Sequence, residues 1–460
     1  MILKSLHWIE KNQWVLLVFA APFLLFPSPN TIWVMLVFPF IWVVQAIVRH
    51  TPIDKTPLNL TLLIFSISIL LSVFVTYDLE TSLPKITGLL LGLSVYFLVI
   101  RKTSSFKSWY GGISLFLLAG VGIALISLWG TNWENIKFLT LNQITIQFPY
   151  QLRGIPGALQ GFQPNEVGGA LLWVIPVLLT LSVSGLLLFK PLQRLTGWFL
   201  SILINLMLWI SLFFTLAVFI LTQSRTSYVA LAVAIFAMLW VIFPRWLKWL
   251  SGILSLIAIT AVIVVFTNHN YSLLLMNYLP DGLFNLQAFS VSTLIGRFEI
   301  WYRALLAQQD LPLTGTGLNT FRYLSHWLYP YTNAPGELQR DLGHAHNEFL
   351  QAALDLGLPG LISFCAIQIG VAWMWLKSWR ILNRFSARVT RQPSSDLLKI
   401  TQSTLLGLGG GFFAHFLYGW IDAVSLGAKP GFLFWLLAGL IASILILLQR
   451  IRISGSINDI

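Results

Sequence analysis

Charge is scarce in this chain: Asp, Glu, Lys and Arg together make up only 10% of its 460 residues. Soluble globular domains carry about 25% of such residues, and disordered chains combine low hydrophobicity with high charge, so both classes are excluded. Cysteine is scarcer still. Cys365 is the only one and lies inside an apolar run, which excludes a disulfide scaffold and any covalent staple within an external loop. There is no His-Glu-x-x-His and no cysteine pair, the arrangements that mark zinc sites, and no convincing internal repeat. Acidic residues are few as well, 16 against 28 basic ones, for a net charge of +12.

What is present is apolar: 57% of residues are hydrophobic and the mean hydropathy is +0.79. An all-α, polytopic integral membrane protein follows. A span needs about 20 apolar residues, and apolar windows predict helices near 13–28, 31–48, 58–76, 84–100, 108–130, 165–189, 197–222, 226–243, 247–266, 348–376, 400–420 and 430–449. Twelve spans are therefore expected. Lys4 and Lys11 before the first run resemble a signal peptide, but a second apolar run begins just after Pro27-Ser28-Pro29-Asn30, so a retained helical hairpin is expected.

Placing the amino terminus in the cytoplasm puts 19 of the 28 basic residues, but only four of the 16 acidic ones, on the inner side. That is the positive-inside pattern, with both termini cytoplasmic. Topology and anionic lipid thus account for the net charge, and no nucleic-acid partner is expected. The organisation read from the spans is four-part. Residues 1–266 hold nine helices and an external loop near 131–164, and 267–347 form one large external loop subdomain. Residues 348–449 hold three more helices, and 450–460 a cytoplasmic tail. Long structured loops commonly carry function.

Arginines on the outer side need a local reason. Arg225 sits in the short turn Thr222-Gln223-Ser224-Arg225-Thr226-Ser227, where it either snorkels to lipid phosphate or joins the hydroxyls in an oxyanion or phosphate site. Arg297, Trp301 and Leu305 share one face of a predicted helix over 297–309, an interfacial amphipathic helix that also places an arginine at headgroup level. Downstream, Gly343-His344-Ala345-His346-Asn347-Glu348 runs into the tenth helix. Asn347 suits an N-cap there, and the helix amino end disfavours a charged imidazole, leaving His346 as a neutral general base. A metal reading would draw on Asp341, His344, His346 and Glu348, but the pattern lacks a recognisable ligand spacing, so no metal is expected. Arg153 and Asn165 either touch a substrate or fix the loop near 131–164, and Arg303 and His344 read as rim residues. His415 and Asp422, near the outer end of the eleventh helix, are functional suspects as ionisable groups but read first as packing hydrogen-bond partners, and Gly407, Gly409, Gly410 and Gly411 as close helix packing.

In order and spacing, these motifs resemble the O-antigen ligase and polymerase superfamily. The carriers are the Ser224-Arg225 turn, Gly296-Arg297 with Trp301, Gly315-Thr316-Gly317, and His346-Asn347 followed by nine residues and Gly357-x-x-Gly360. The similarity extends over about 150–430 and includes Gln163-Pro164-Asn165. The resemblance implies a GT-C-like membrane glycosyltransferase of the bacterial plasma membrane, inverting and metal-independent, without cofactor. It would move a glycan from undecaprenyl diphosphate to an acceptor hydroxyl on a glycolipid or glycan at the periplasmic side. It implies Arg225 and Arg297 as the essential arginines and His346 as the essential histidine, with Arg153, Asn165, Arg303, Trp301, Asn347 and His344 as substrate contacts. A polymerase and a protein O-oligosaccharyltransferase share the same chemistry. An inorganic-carbon transporter is the reading of another class, and charge near mid-membrane would mark it.

Overall fold

The structure, a computed structural model, describes residues 2–50, 53–131, 133, 161–254, 260, 292–329, 343–388, 394–424 and 426–454. Its helices in chain order are α1 (Ile2–Leu25), a 3-10 turn (Pro29–Leu36), α2 (Val37–Arg49), α3 (Asn59–Val75), α4 (Leu79–Lys102) and α5 (Phe106–Gly130). Then follow α6 (Pro164–Leu187), α7 (Phe189–Thr196), α8 (Trp198–Leu221), α9 (Arg225–Ile242), α10 (Ser292–Asp310), α11 (Phe321–Trp327), α12 (Glu348–Arg388), α13 (Ser394–Tyr418) and α14 (Phe432–Ser454). Among the described residues there is no strand, only an isolated bridge between Thr131 and Phe162.

Among the described residues, eight helical segments are long and apolar enough to cross a membrane: Pro29–Arg49, Leu79–Lys102, Phe106–Gly130, Pro164–Leu187, Trp198–Leu221, Arg225–Ile242, Glu348–Ser386 and Lys429–Arg452. This is the expected all-α polytopic class, with a smaller number of qualifying spans. Helix α3 is apolar but shorter, and α1 and α13 are helical at their expected places without being among the eight. Most of the ninth expected span, 247–266, lies outside the described residues, as do 267–291 and 330–342 of the large loop.

Local signals start the helices where the sequence places them. Asp78 caps α4 through the Glu80 amide, a Ser105–Ser108 capping box opens α5, and Pro164 occupies the first turn of α6. Apolar side chains such as Phe74, 86% exposed, face outward, as they do in a protein whose solvent is lipid. The inner seam is close-packed. A side chain at Gly411 of α13 would collide with the Trp173 backbone of α6, and one at Gly407 with Val177. Trp173, Phe434 and Trp435 fill the space beside this seam.

Helix α12 is broken near its amino-terminal end. Gly357 has φ 71° and ψ −176°, and the segment 312–316 threads into the break: Leu358 N–H donates to Pro312 at 2.8 Å and Thr316 N–H to Leu354 at 2.6 Å. A side chain on Gly357 would strike the Leu313 carbonyl. The Gly-x-Gly turn and the Gly-x-x-Gly segment noted in the sequence are therefore two halves of one joint.

Candidate functional site

The site gathers where several helix ends meet: the amino ends of α6, α9 and α12 and the turn that follows α13. His346 lies in the segment entering α12 and holds a left-handed φ of 49°. Three contacts impose that conformation. Ala345 N–H donates to Gln351 Oε1 at 2.8 Å, His346 N–H donates to His344 Nδ1 at 3.1 Å, and Asn347 Nδ2 donates to Trp420 O at 2.9 Å.

Asp422 is the hub. Its Oδ1 lies 3.3 Å from His346 Nδ1 and 3.5 Å from His344 Nε2, and its Oδ2 lies 4.0 Å from Arg297 Nη2 and accepts from Asn165 Nδ2 at 3.3 Å. Burial works to raise the Asp422 carboxyl, but the hydrogen bond from His346 and the neighbouring positive charge outweigh it and hold the group well below the usual carboxylate range. It is therefore an ionised acceptor. His344 is pushed down to about 4, chiefly by burial, and is neutral near pH 7. Because its Nδ1 accepts the His346 amide, its proton sits on Nε2, facing Asp422. His346 likewise presents Nδ1–H to the carboxylate. The side chain is 28% exposed. A histidine held on a carboxylate in this way can serve as a general base.

The two arginines singled out in the sequence converge, Arg225 lying within electrostatic reach of Arg297. Arg297 is 21% exposed at its side chain. The hydroxyls around Arg225 do not join them. Thr222 Oγ1 donates to Phe219 O at 2.6 Å, Ser227 to Ser224 at 2.8 Å, and this buried cluster packs on Gly168 of α6. The turn positions Arg225 and spends its own polar groups doing so.

Other expected contacts also have structural duties. Arg303 is not at a rim: it is buried and donates to the carbonyls of Tyr329 and Ser325, tying α10 to the segment after α11. Asn347 accepts from the Phe349 and Leu350 amides at 3.0 Å each, the predicted cap, and its amide nitrogen donates to Trp420 O, so it positions the segment entering α12. Asn165 supports Asp422, with its carbonyl accepting from Tyr418 at 2.7 Å. Trp301 sets its ring edge against Phe298. Arg153 lies outside the described residues.

His344, His346 and Asp422 place one donor atom each within 4.8 Å of one another, a spacing one ion could bridge. Of the donor set considered from sequence, Asp341 lies outside the described residues and Glu348 turns to His415 instead. Each imidazole already directs an N–H at the carboxylate, and Arg297 supplies the counter-charge on its other oxygen. The three groups read as a hydrogen-bonded triad.

The sequence reading missed Asp422 as the hub. Its signal was an ionisable residue at a helix end, which is also what a packing partner looks like.

A many-helix apolar bundle with histidines, a carboxylate and arginines gathered at its helix ends defines a polytopic membrane protein. Residues 210–365 match the model of the O-antigen ligase family, which supports the resemblance to the O-antigen ligase and polymerase superfamily read from the motifs. The matched stretch includes Arg225, Arg297 and His346 but stops short of Asp422. A search of the curated proteins finds no match.

Proposed function

We propose that this protein is an inverting, metal-independent glycosyltransferase that moves a glycan from undecaprenyl diphosphate to an acceptor hydroxyl on a lipid A-core type glycolipid. The observation that carries the reading is a His346 held on Asp422, whose other oxygen faces Arg297, with Arg225 within electrostatic reach of Arg297. The diphosphate brings about two negative charges, which guanidinium forks suit. The acceptor oxygen forms its bond to the anomeric carbon as its proton passes to His346 Nε2. The anomeric C–O bond breaks, its electron pair going to the departing diphosphate, whose growing charge Arg225 and Arg297 stabilise. Attack opposite the leaving group inverts the centre. No step in this scheme requires a metal or cofactor.

In this reading twelve helices cross a bacterial plasma membrane, both termini are cytoplasmic, and the loop 267–347 covers the donor on the periplasmic face. The buried Lys85–Asp355 pair lies within about two turns of the helix ends, as do the triad and the arginines, not at the midplane where a bicarbonate path would place charge. A polymerase or protein O-oligosaccharyltransferase would use the same groups with another acceptor.

The test is transfer by purified protein in lipid, from a synthetic undecaprenyl-diphosphate glycan to candidate acceptors, with and without a chelator. His346→Ala is expected to slow transfer by about 10²- to 10⁴-fold with donor binding retained, and Arg297→Ala to weaken donor binding. Loss of transfer on chelation would overturn the metal-free mechanism. Absence of transfer with every acceptor would overturn the transferase.

A further inference from the structure

Beneath the triad lies a second histidine–carboxylate pair that the mechanism does not use. His415 of α13 and Glu348 of α12 are 2% and 1% exposed at their side chains, with Nε2 3.3 Å from Oε1. The other ring nitrogen, Nδ1, lies 3.0 Å from the Gly169 carbonyl of α6. A carbonyl only accepts, so Nδ1 carries a proton. On the opposite side, Glu348 Oε1 already accepts the Val424 amide at 3.2 Å, and a contact between two bare acceptors would repel, so a second proton lies between Nε2 and Oε1.

Three contacts assign that proton to the ring. Trp173 stacks on the imidazole, ring centroids 3.8 Å apart and planes 25° apart, a geometry that favours a cation. Glu348 is the first residue of α12, where the helix amino end favours a carboxylate. The Val424 amide adds a hydrogen bond to the charged form. Tyr418 of α13 lies against the ring, with Asp422 and Glu166 acting on Tyr418 in turn, and Phe434 of α14 lies against Trp173.

The pair is joined to the site through the backbone. Glu348 N–H donates to Gly419 O at 2.7 Å and its side chain takes the Val424 amide, so Glu348 grips both ends of the turn that carries Asp422. A side chain on Gly419 would press on Glu348 Oε2. We propose that His415 is a standing imidazolium, clamped between Trp173, Gly169 and Glu348, and that through Glu348 it fixes the 419–424 turn so that Asp422 meets His346. His415 and Glu348 are thus positioning residues of the site, a role that rests on the transfer chemistry proposed above.

The decisive measurement needs no substrate. Wild-type protein in lipid nanodiscs, with 15N-labelled histidines, is examined by NMR between pH 6 and 9, and the His415 ring is assigned through its contact with Trp173. Both ring nitrogens are expected to be protonated at pH 7. In Glu348→Gln, which keeps the shape, the Nε2 signal is expected to move to the position of an unprotonated imidazole nitrogen. A neutral His415 in the wild type at pH 7 would overturn the proposal, whether or not the variant folds. An imidazolium unchanged by Glu348→Gln would overturn the pairing. In the transfer assay Glu348→Gln is expected to lose on the order of 10²-fold in rate, the cost of about 1 Å of misplacement. A wild-type rate in that variant would overturn the positioning role. Wild-type protein that transfers nothing while His415 stays doubly protonated would count against the transferase and leave the imidazolium standing.

Discussion

Single atoms decide how His346 works. In the proposed mechanism, Asp422 Oδ1 takes its Nδ1–H, which leaves Nε2 for the acceptor and provides a negative charge for the imidazolium formed on proton transfer. Asp422→Asn keeps the volume but removes that charge, and its amide can hold the ring in the wrong tautomer. Transfer is expected to fall by on the order of 10²-fold or more with donor binding retained, as rate and binding measured side by side would show. His344 makes a different prediction. Its folded value of about 4 lies below the ordinary 6.5, so between those values the unfolded chain binds a proton that the folded one refuses. The contribution of His344 to stability is full above pH 6.5 and is lost as pH falls towards 4. Thermal unfolding in detergent at a series of pH values is expected to show that decline, and His344→Gln to flatten it.

At the scale of elements, the joint between the Gly-x-Gly turn and the broken α12 sets where His346 enters. Gly357→Ala meets both a left-handed φ and the Leu313 carbonyl, so it is expected to lower the unfolding temperature and to cost more than the about 1–3 kcal/mol of backbone strain alone. The Ser224 turn separates two roles that the sequence had merged. Ser227→Ala removes one buried hydrogen bond and is expected to cost about 1 kcal/mol of stability with donor affinity unchanged, whereas Arg225→Ala is expected to weaken donor binding. Titrating labelled donor against both variants distinguishes them. Hydropathy and caps made these elements legible: Asn347 was read as a cap and is one. The two readings of the 222–227 turn stayed open in the sequence because residue types show hydrogen-bonding capacity and not which partner consumes it. Asp422 was under-read because its partners lie 76 residues or more away in the chain.

Across the whole molecule, segments distant in sequence are held by polar ties inside an apolar bundle, and these were the least legible feature. Nothing local marks Lys85 of α4 as the partner of Asp355 on α12, 270 residues later, at 2.6 Å. Asp355 is nearly fully buried and also accepts from Gln351 Nε2 at 2.8 Å and the Asn319 amide at 3.1 Å, while Gln351 Oε1 holds the Ala345 amide between the two histidines. Ser72 of α3 adds its hydroxyl to the Asp355 carbonyl. One carboxylate therefore links α4, α12, the 318–319 backbone and the base-bearing loop. Removing one member of a buried ion pair strands the other charge and typically costs about 3–5 kcal/mol, whereas removing both costs much less. Lys85→Met is accordingly expected to unfold at markedly lower temperature than wild type, and Lys85→Met with Asp355→Asn to regain part of that loss, because the amide can still serve Gln351 or Asn319 without a buried charge. Unfolding in detergent for the single and double variants measures the coupling. A double variant whose loss equals the sum of the singles would show that the pair is not a tie between α4 and α12.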